Sequence, residues 1–91
     1  MTETRKTIAE WEADLGGQIR TLRRRAEMTQ RDLASSANVS VGTIRNLESG
    51  AGSTLTTLVS VARVLGRSDW LLALAPPVTV SPLAMLDARN R

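Results

Sequence analysis

Thr29 to Gly50 read TQRDLASSANVSVGTIRNLESG, and the fold turns on this stretch. Two short amphipathic patterns, about 30–37 and 41–48, flank a four-residue turn, and the second opens on small, uncharged side chains. Thr29 and Ser40 stand where a hydroxyl can accept a hydrogen bond from an otherwise orphaned backbone amide, so a helix is expected to start after each. Leu33, Ala37, Ile44 and Leu47 recur at helical spacing and lock one helix across the other, with Ala34 small at the crossing. Asn38 occupies the turn, where the chain needs a left-handed residue and Asn tolerates that conformation better than most residues other than glycine.

Upstream, Thr7 to Glu10 read as a capping box that opens a helix running to about Arg25. Trp11, Leu15, Ile19 and Leu22 recur at spacings of four, four and three, which predicts a stripe facing the core. Gly16 and Gly17 weaken this helix from within. Two readings therefore stand: a kinked helix from the capping box, or a helix that begins near Leu15 after a separate turn.

Downstream, the loop SGAGS at 49–53 breaks the helical pattern. Thr54 or Ser53 caps a fourth helix whose apolar face is Leu55, Leu58, Val61, Ala62 and Leu65, and Gly66 stops it. Ser68 is expected to cap a short fifth helix packed through Trp70, Leu71 and Leu74. Trp11 and Trp70 are the only aromatic residues, and both are expected to seal the edges of the core. Pro76 and Pro77 end the helical region, since neither can donate a backbone hydrogen bond. Val78, Thr79 and Val80 then form a brief extended run with no partner strand elsewhere in the chain. A lone strand is unstable, which leaves disorder, an irregular arm, or pairing across a two-fold axis in a dimer. Pro82 to Arg91 read as a last turn around Leu83, Met85 and Leu86. The division expected is an arm and helix start at 1–10, a helical domain at 11–75 and an extended tail at 76–91, with Val78 to Val80 as a dimerisation strand.

Ninety-one residues support one modest core. The absence of Cys and His removes disulfides, thiolate metal sites and the commonest general base, and the acids are scattered. No nucleophile and base can be paired, so the chain is not expected to be an enzyme or to need a metal or cofactor. Nothing approaches the length of an apolar membrane span, and Glu3, Glu10 and Glu12 give the N-terminus no signal-peptide character. A cytoplasmic protein with no membrane partner is expected. Net charge is only +3, but its distribution is uneven. Between Leu15 and Arg67, eight arginines face three acids, Glu27, Asp32 and Glu48, leaving +5. Eleven of the twelve basic residues are Arg, whose planar fork suits phosphate oxygens and guanine edges, although GC-rich codon usage would enrich Arg as well.

Residues 15–66, from LGGQIRTLRRRAEMTQ through the turn to STLTTLVSVARVLG, resemble the helix-turn-helix domain of the lambda-repressor and Cro superfamily, the xenobiotic-response-element (XRE) type. The resemblance implies an all-α, five-helix domain with a short C-terminal extended segment, and double-stranded DNA as partner. It places the helix after the turn in the major groove, with Ser40, Val41, Gly42, Arg45 and Asn46 at base edges. Val41 could meet a thymine methyl, Arg45 guanine O6 and N7, and Asn46 adenine N6 and N7. Val41 and Gly42 depart from the polar residues usual there, which favours methyl or shape readout over amide readout. Gln30, Arg31, Thr43, Ser49 and Arg24 are the implied phosphate contacts, with Gln30 also bracing the reading helix and Arg20 and Arg25 free to approach. Arg23 and Glu48 match a family pair that forms a partly buried ion pair.

The function implied is a sequence-specific regulator, a homodimer repressing from a palindromic operator. A second reading is an antitoxin of HipB type, which autoregulates its operon and also binds a toxin protein. A third is a protein-interaction adaptor that binds no DNA.

Overall fold

In the computed structural model, which describes residues 6–74, five helices follow one another: α1 (Ile8–Arg25), α2 (Gln30–Ala37), α3 (Val41–Ser49), α4 (Leu55–Val64) and α5 (Ser68–Ala73). The described residues contain no strand and make an all-α domain. None of their helices is long and apolar enough to cross a membrane.

Local chemistry fixes where the first four helices start. Thr7 Oγ1 accepts from the Glu10 amide at 3.1 Å while Glu10 Oε1 accepts from the Thr7 amide at 2.8 Å. The same reciprocal box joins Thr29 and Asp32 at 3.0 and 2.9 Å. Ser40 and Thr54 cap α3 and α4 through their hydroxyls. In both boxes the carboxyl is held below its ordinary pKa, first by the backbone N–H it accepts and then by the capping hydroxyl.

Termination is equally regular. After α1, α2, α3 and α4, paired bonds close the last turn: Met28 N to Arg23 O, Val39 N to Ala34 O, Ala51 N to Asn46 O and Arg67 N to Ala62 O, at 2.7–3.1 Å. Each pair encloses one residue at positive φ, namely Glu27, Asn38, Gly50 and Gly66. This is the Schellman ending, which satisfies carbonyls left open at a helix C-terminus. Asn38, at φ 59° and ψ 46°, makes the turn between α2 and α3 as its sequence position predicts. Glu27 at φ 57° is a side chain in a conformation that usually goes to Gly or Asn.

Ile19 from α1, Leu33 from α2, Ile44 from α3 and Val61 from α4 are fully buried and meet in one cluster with Ala34, Ala37 and Leu47. Burying each of the four large side chains contributes roughly 1.5–3 kcal/mol. The glycines of α1 do not break it. A Cβ on Gly16 would lie 2.3 Å from Leu47 O and 2.9 Å from Glu48 O, so its bare backbone lets α1 and α3 touch, whereas Gly17 faces open space. Of the two readings for this region, the single helix from the capping box is the one observed.

Four packing or capping expectations need correction. Trp11 is half exposed, with the Lys6 ammonium 4.5 Å from its ring centroid, and every described residue before Leu15 is exposed with it. Leu55 and Leu74 are 74% and 79% exposed, one at the first residue of α4 and the other just past α5. Ser68 does not cap α5. Arg67 holds that position without a side-chain cap bond, because only one residue separates the turn at Gly66 from the helix. Trp70 behaves as expected and packs against the core cluster. The extended run Val78, Thr79 and Val80, the Pro76–Pro77 break and the turn around Leu83, Met85 and Leu86 lie outside the described residues.

Candidate nucleic-acid interface

Helix α3 has two chemically different sides. Inward it buries Ile44, Leu47 and Glu48; outward it exposes Gly42, Arg45 and Asn46, with Ser40 exposed at its cap. Val41 and Thr43 are half-buried between them, and Val41 touches the core cluster. Ser40 Oγ accepts from the Thr43 amide at 3.1 Å and lies 2.8 Å from Thr43 Oγ1. These hydroxyls are therefore already bonded to each other and to the helix start. A Cβ on Gly42 would meet nothing nearer than Ser40 Oγ at 3.8 Å, so the fold does not need glycine there. Its effect is to leave the outer surface of the first turn bare.

Beside this surface runs an open groove of about 510 Å3, lined by Arg20, Arg23 and Arg24 of α1, Met28, Thr29, Gln30 and Arg31 around the start of α2, and Val41 and Arg45 of α3. Among the described residues the ion pairs are Lys6 with Asp14, Arg23 with Glu48 and Arg67 with Asp69. None of them takes Arg20, Arg24, Arg31 or Arg45, so four guanidinium groups stand on one side of the molecule without an acidic partner among the described residues. Such a cluster produces a positive field that attracts a polyanion.

The Arg23 and Glu48 pair forms as the sequence resemblance implies. Arg23 Nε donates to Glu48 Oε2 at 2.6 Å and Nη2 to Oε1 at 3.1 Å, with the two side chains 10% and 3% exposed. Nη1 adds a bond to Met28 O at 2.8 Å. A buried pair of this kind persists because its geometry is bidentate and the third guanidinium nitrogen also finds an acceptor.

The residues singled out in the sequence are thus only partly brought together. Gln30, Arg31, Arg24, Val41 and Arg45 share the groove, and Gly42 and Asn46 lie on the exposed side of the same helix. Ser49 sits at the far end of α3, where its hydroxyl donates to Asn46 O at 3.1 Å. Arg20 belongs to the groove, and its spacing of four from Arg24 is the signal for it, since residues i and i+4 share a helix face. Arg25 points elsewhere, into a depression shared with Arg67 and Trp70. Gln30 Nε2 donates to Glu48 Oε1 at 3.1 Å and so braces α3; the resemblance implies a brace from Gln30, but no local pattern announces Glu48 as its partner.

A tight turn between two crossed helices, with the second carrying an exposed, partly basic face, defines a helix-turn-helix module. A family model described as a helix-turn-helix domain matches residues 14–75, well over half of the chain, and the chain belongs to this family. No curated protein is a significant match.

Proposed function

We propose that the chain is a sequence-specific, double-stranded DNA-binding transcriptional regulator of the lambda-repressor and Cro, or XRE, type. The observation that carries this reading is the groove that gathers Arg20, Arg24, Arg31 and Arg45, without acidic partners among the described residues, beside the outer face of α3. Four cations along one groove suit a phosphate track, and the outer residues of α3 suit base edges. In this reading Ser40, Val41, Gly42, Arg45 and Asn46 face the bases, while Gln30, Arg31, Thr43, Ser49, Arg24 and Arg20 face the backbone. One module offers only about 600–1,000 Å2 of interface, so two copies on half-sites about one helical turn apart give useful affinity. A homodimer repressing from a palindromic operator follows.

The test is selection of bound duplexes from a random pool, then comparison of variants on the selected site. Arg45→Ala and Asn46→Ala relax preference at particular positions, by roughly 1–3 kcal/mol each, while Gln30→Ala and Arg31→Ala weaken all duplexes alike. The slope of log affinity against log salt is about −0.9 per phosphate neutralised, and Arg31→Ala makes it shallower by about one unit. A flat salt response favours a protein-interaction adaptor instead.

The antitoxin reading draws on a different place. Leu72 and Leu74 are 77% and 79% exposed at the end of α5, an apolar surface suited to a protein partner, whether a second copy or a toxin. Co-purification of a distinct partner protein with the tagged chain from its own operon favours the antitoxin; recovery of the homodimer alone counts against it.

A further inference from the structure

Glu48 receives donors from two other helices. Its carboxylate accepts Arg23 Nε and Nη2 from α1 and Gln30 Nε2 from the first residue of α2, while Glu48 itself belongs to the last turns of α3. The chemistry of this meeting is asymmetric. An ionised carboxylate can only accept hydrogen bonds, whereas a Gln side chain can present either its carbonyl oxygen or its two N–H donors. Beside Glu48 the amide must therefore turn its nitrogen toward the carboxylate, and rotation by 180° would set oxygen against oxygen. Gln30 lines the arginine groove, so the orientation imposed from the interior determines what Gln30 offers at the surface. One N–H is used on Glu48. The other is a donor of fixed direction.

Resting on the DNA-binding reading, we propose that Glu48 is a positioning residue for phosphate recognition, holding Gln30 nitrogen-inward so that its second N–H donates to a backbone phosphate oxygen at the mouth of the groove. Arg23 is what permits this. With its guanidinium bonded to both carboxylate oxygens, Glu48 keeps its accepting geometry while its charge is balanced and does not repel the approaching phosphate. Neither residue needs to touch DNA, because their effect passes through the amide.

The test uses a double-mutant cycle on the full-length chain, with a duplex selected from the random pool. Removing Glu48 alone would strand the buried Arg23 charge, so the holder is removed as a pair, Arg23→Met with Glu48→Leu, which replaces ions by apolar side chains of comparable size. In the natural background Gln30→Ala lowers affinity about tenfold, the magnitude of a lost hydrogen bond to a charged group. In the paired-replacement background Gln30→Ala changes affinity less than about twofold, since the amide there is no longer held as a donor. An equal loss in both backgrounds overturns the positioning role while leaving DNA binding intact. Failure of the natural chain to bind any selected duplex overturns the DNA reading, and this inference with it. A second measurement needs no variant that might fail to fold. In 15N-resolved spectra of the natural chain, DNA shifts one of the two Gln30 side-chain amide protons while the one facing Glu48 stays in place. Two unmoved protons, or two that exchange rapidly with each other, overturn the proposal.

Discussion

Helices α3 and α5 are both short, yet they are held by different means. Of nine residues, α3 starts on a hydroxyl cap, ends on a left-handed Gly50 and buries Ile44, Leu47 and Glu48. Of six residues, α5 has no side-chain cap and no buried residue. It rests on half-buried Trp70 and Leu71, on Arg67 reaching Asp69 at 3.1 Å, and on the same guanidinium 5.4 Å from the Trp70 ring centroid. Helix propensity alone does not sustain so few residues in water. The difference teaches that a short helix is rigid only when its ends and one face are satisfied by the rest of the fold. The element that carries the candidate interface meets that condition and α5 does not.

The largest loss is expected at Glu48. Glu48→Ala leaves Arg23 buried without its partner and is expected to destabilise the fold by about 3–5 kcal/mol in chemical denaturation. A loss near that of a surface substitution would mean that α3 is not anchored as described. Next comes Gly16→Ala, which drives a methyl group against the Leu47 and Glu48 carbonyls and is expected to cost about 1–3 kcal/mol. Gly17→Ala, which meets nothing within 4 Å, should instead be neutral or slightly stabilising. Ser40→Ala removes the α3 cap for about 1 kcal/mol, read as a lowered Tm with the helical spectrum retained.

Acid sharpens the same contrast. The Asp32 carboxyl has a folded pKa lowered from its ordinary 3.8, first by the Thr29 backbone bond. It therefore contributes stability above that value, which is lost as pH falls through the depressed folded value. Titrating thermal stability downward through the carboxylate range should show this loss, and Asp32→Asn should remove part of the slope. If Asp32→Asn leaves the slope unchanged, the box that starts α2 makes no measurable contribution. The smallest effect is expected at α5, where Leu74→Ser changes stability by less than about 0.5 kcal/mol. Amides of α5 should also exchange with solvent faster than those of α3.

What could be read in the sequence follows the same division. Where one residue fixes the backbone locally, the reading holds except at Ser68: the hydroxyl caps at Thr7, Thr29 and Ser40, Thr54 of the two candidates for α4, the left-handed Asn38 and the stop at Gly66 all stand where the pattern puts them. Where the outcome depends on what lies opposite, periodicity misleads. Trp11 continues the stripe of Leu15 and Ile19, but no other helix covers that end of α1, and Leu55 suffers the same fate at the start of α4. Glu27 bears no mark of its left-handed conformation, because the closure of α1 by the Met28 amide imposes it. At the candidate interface the exposed side of α3, with Arg45 and Asn46, follows from the helical spacing of Ile44 and Leu47. The division of labour within the arginine run was less legible, since only the packing of α1 against α3 sends Arg23 inward, Arg24 into the groove and Arg25 away from it.

The bare backbone at Gly16 has a mechanical consequence. At Gly16 α1 meets the end of α3 with no intervening side chain, and Gly50 closes on Ala13 in the same way, so the two backbones touch directly at these points while Ile19, Ile44 and Leu47 fill the space beside them. The backbones that carry Arg20 and Arg24 on one helix and Arg45 on the other are thus set close together before any encounter, which lessens what must be ordered on docking. For duplex DNA as the ligand, adjustment then falls to the nucleic acid. Sequences that bend easily into register with these arginines would be chosen over stiffer ones, even at base pairs the protein never touches.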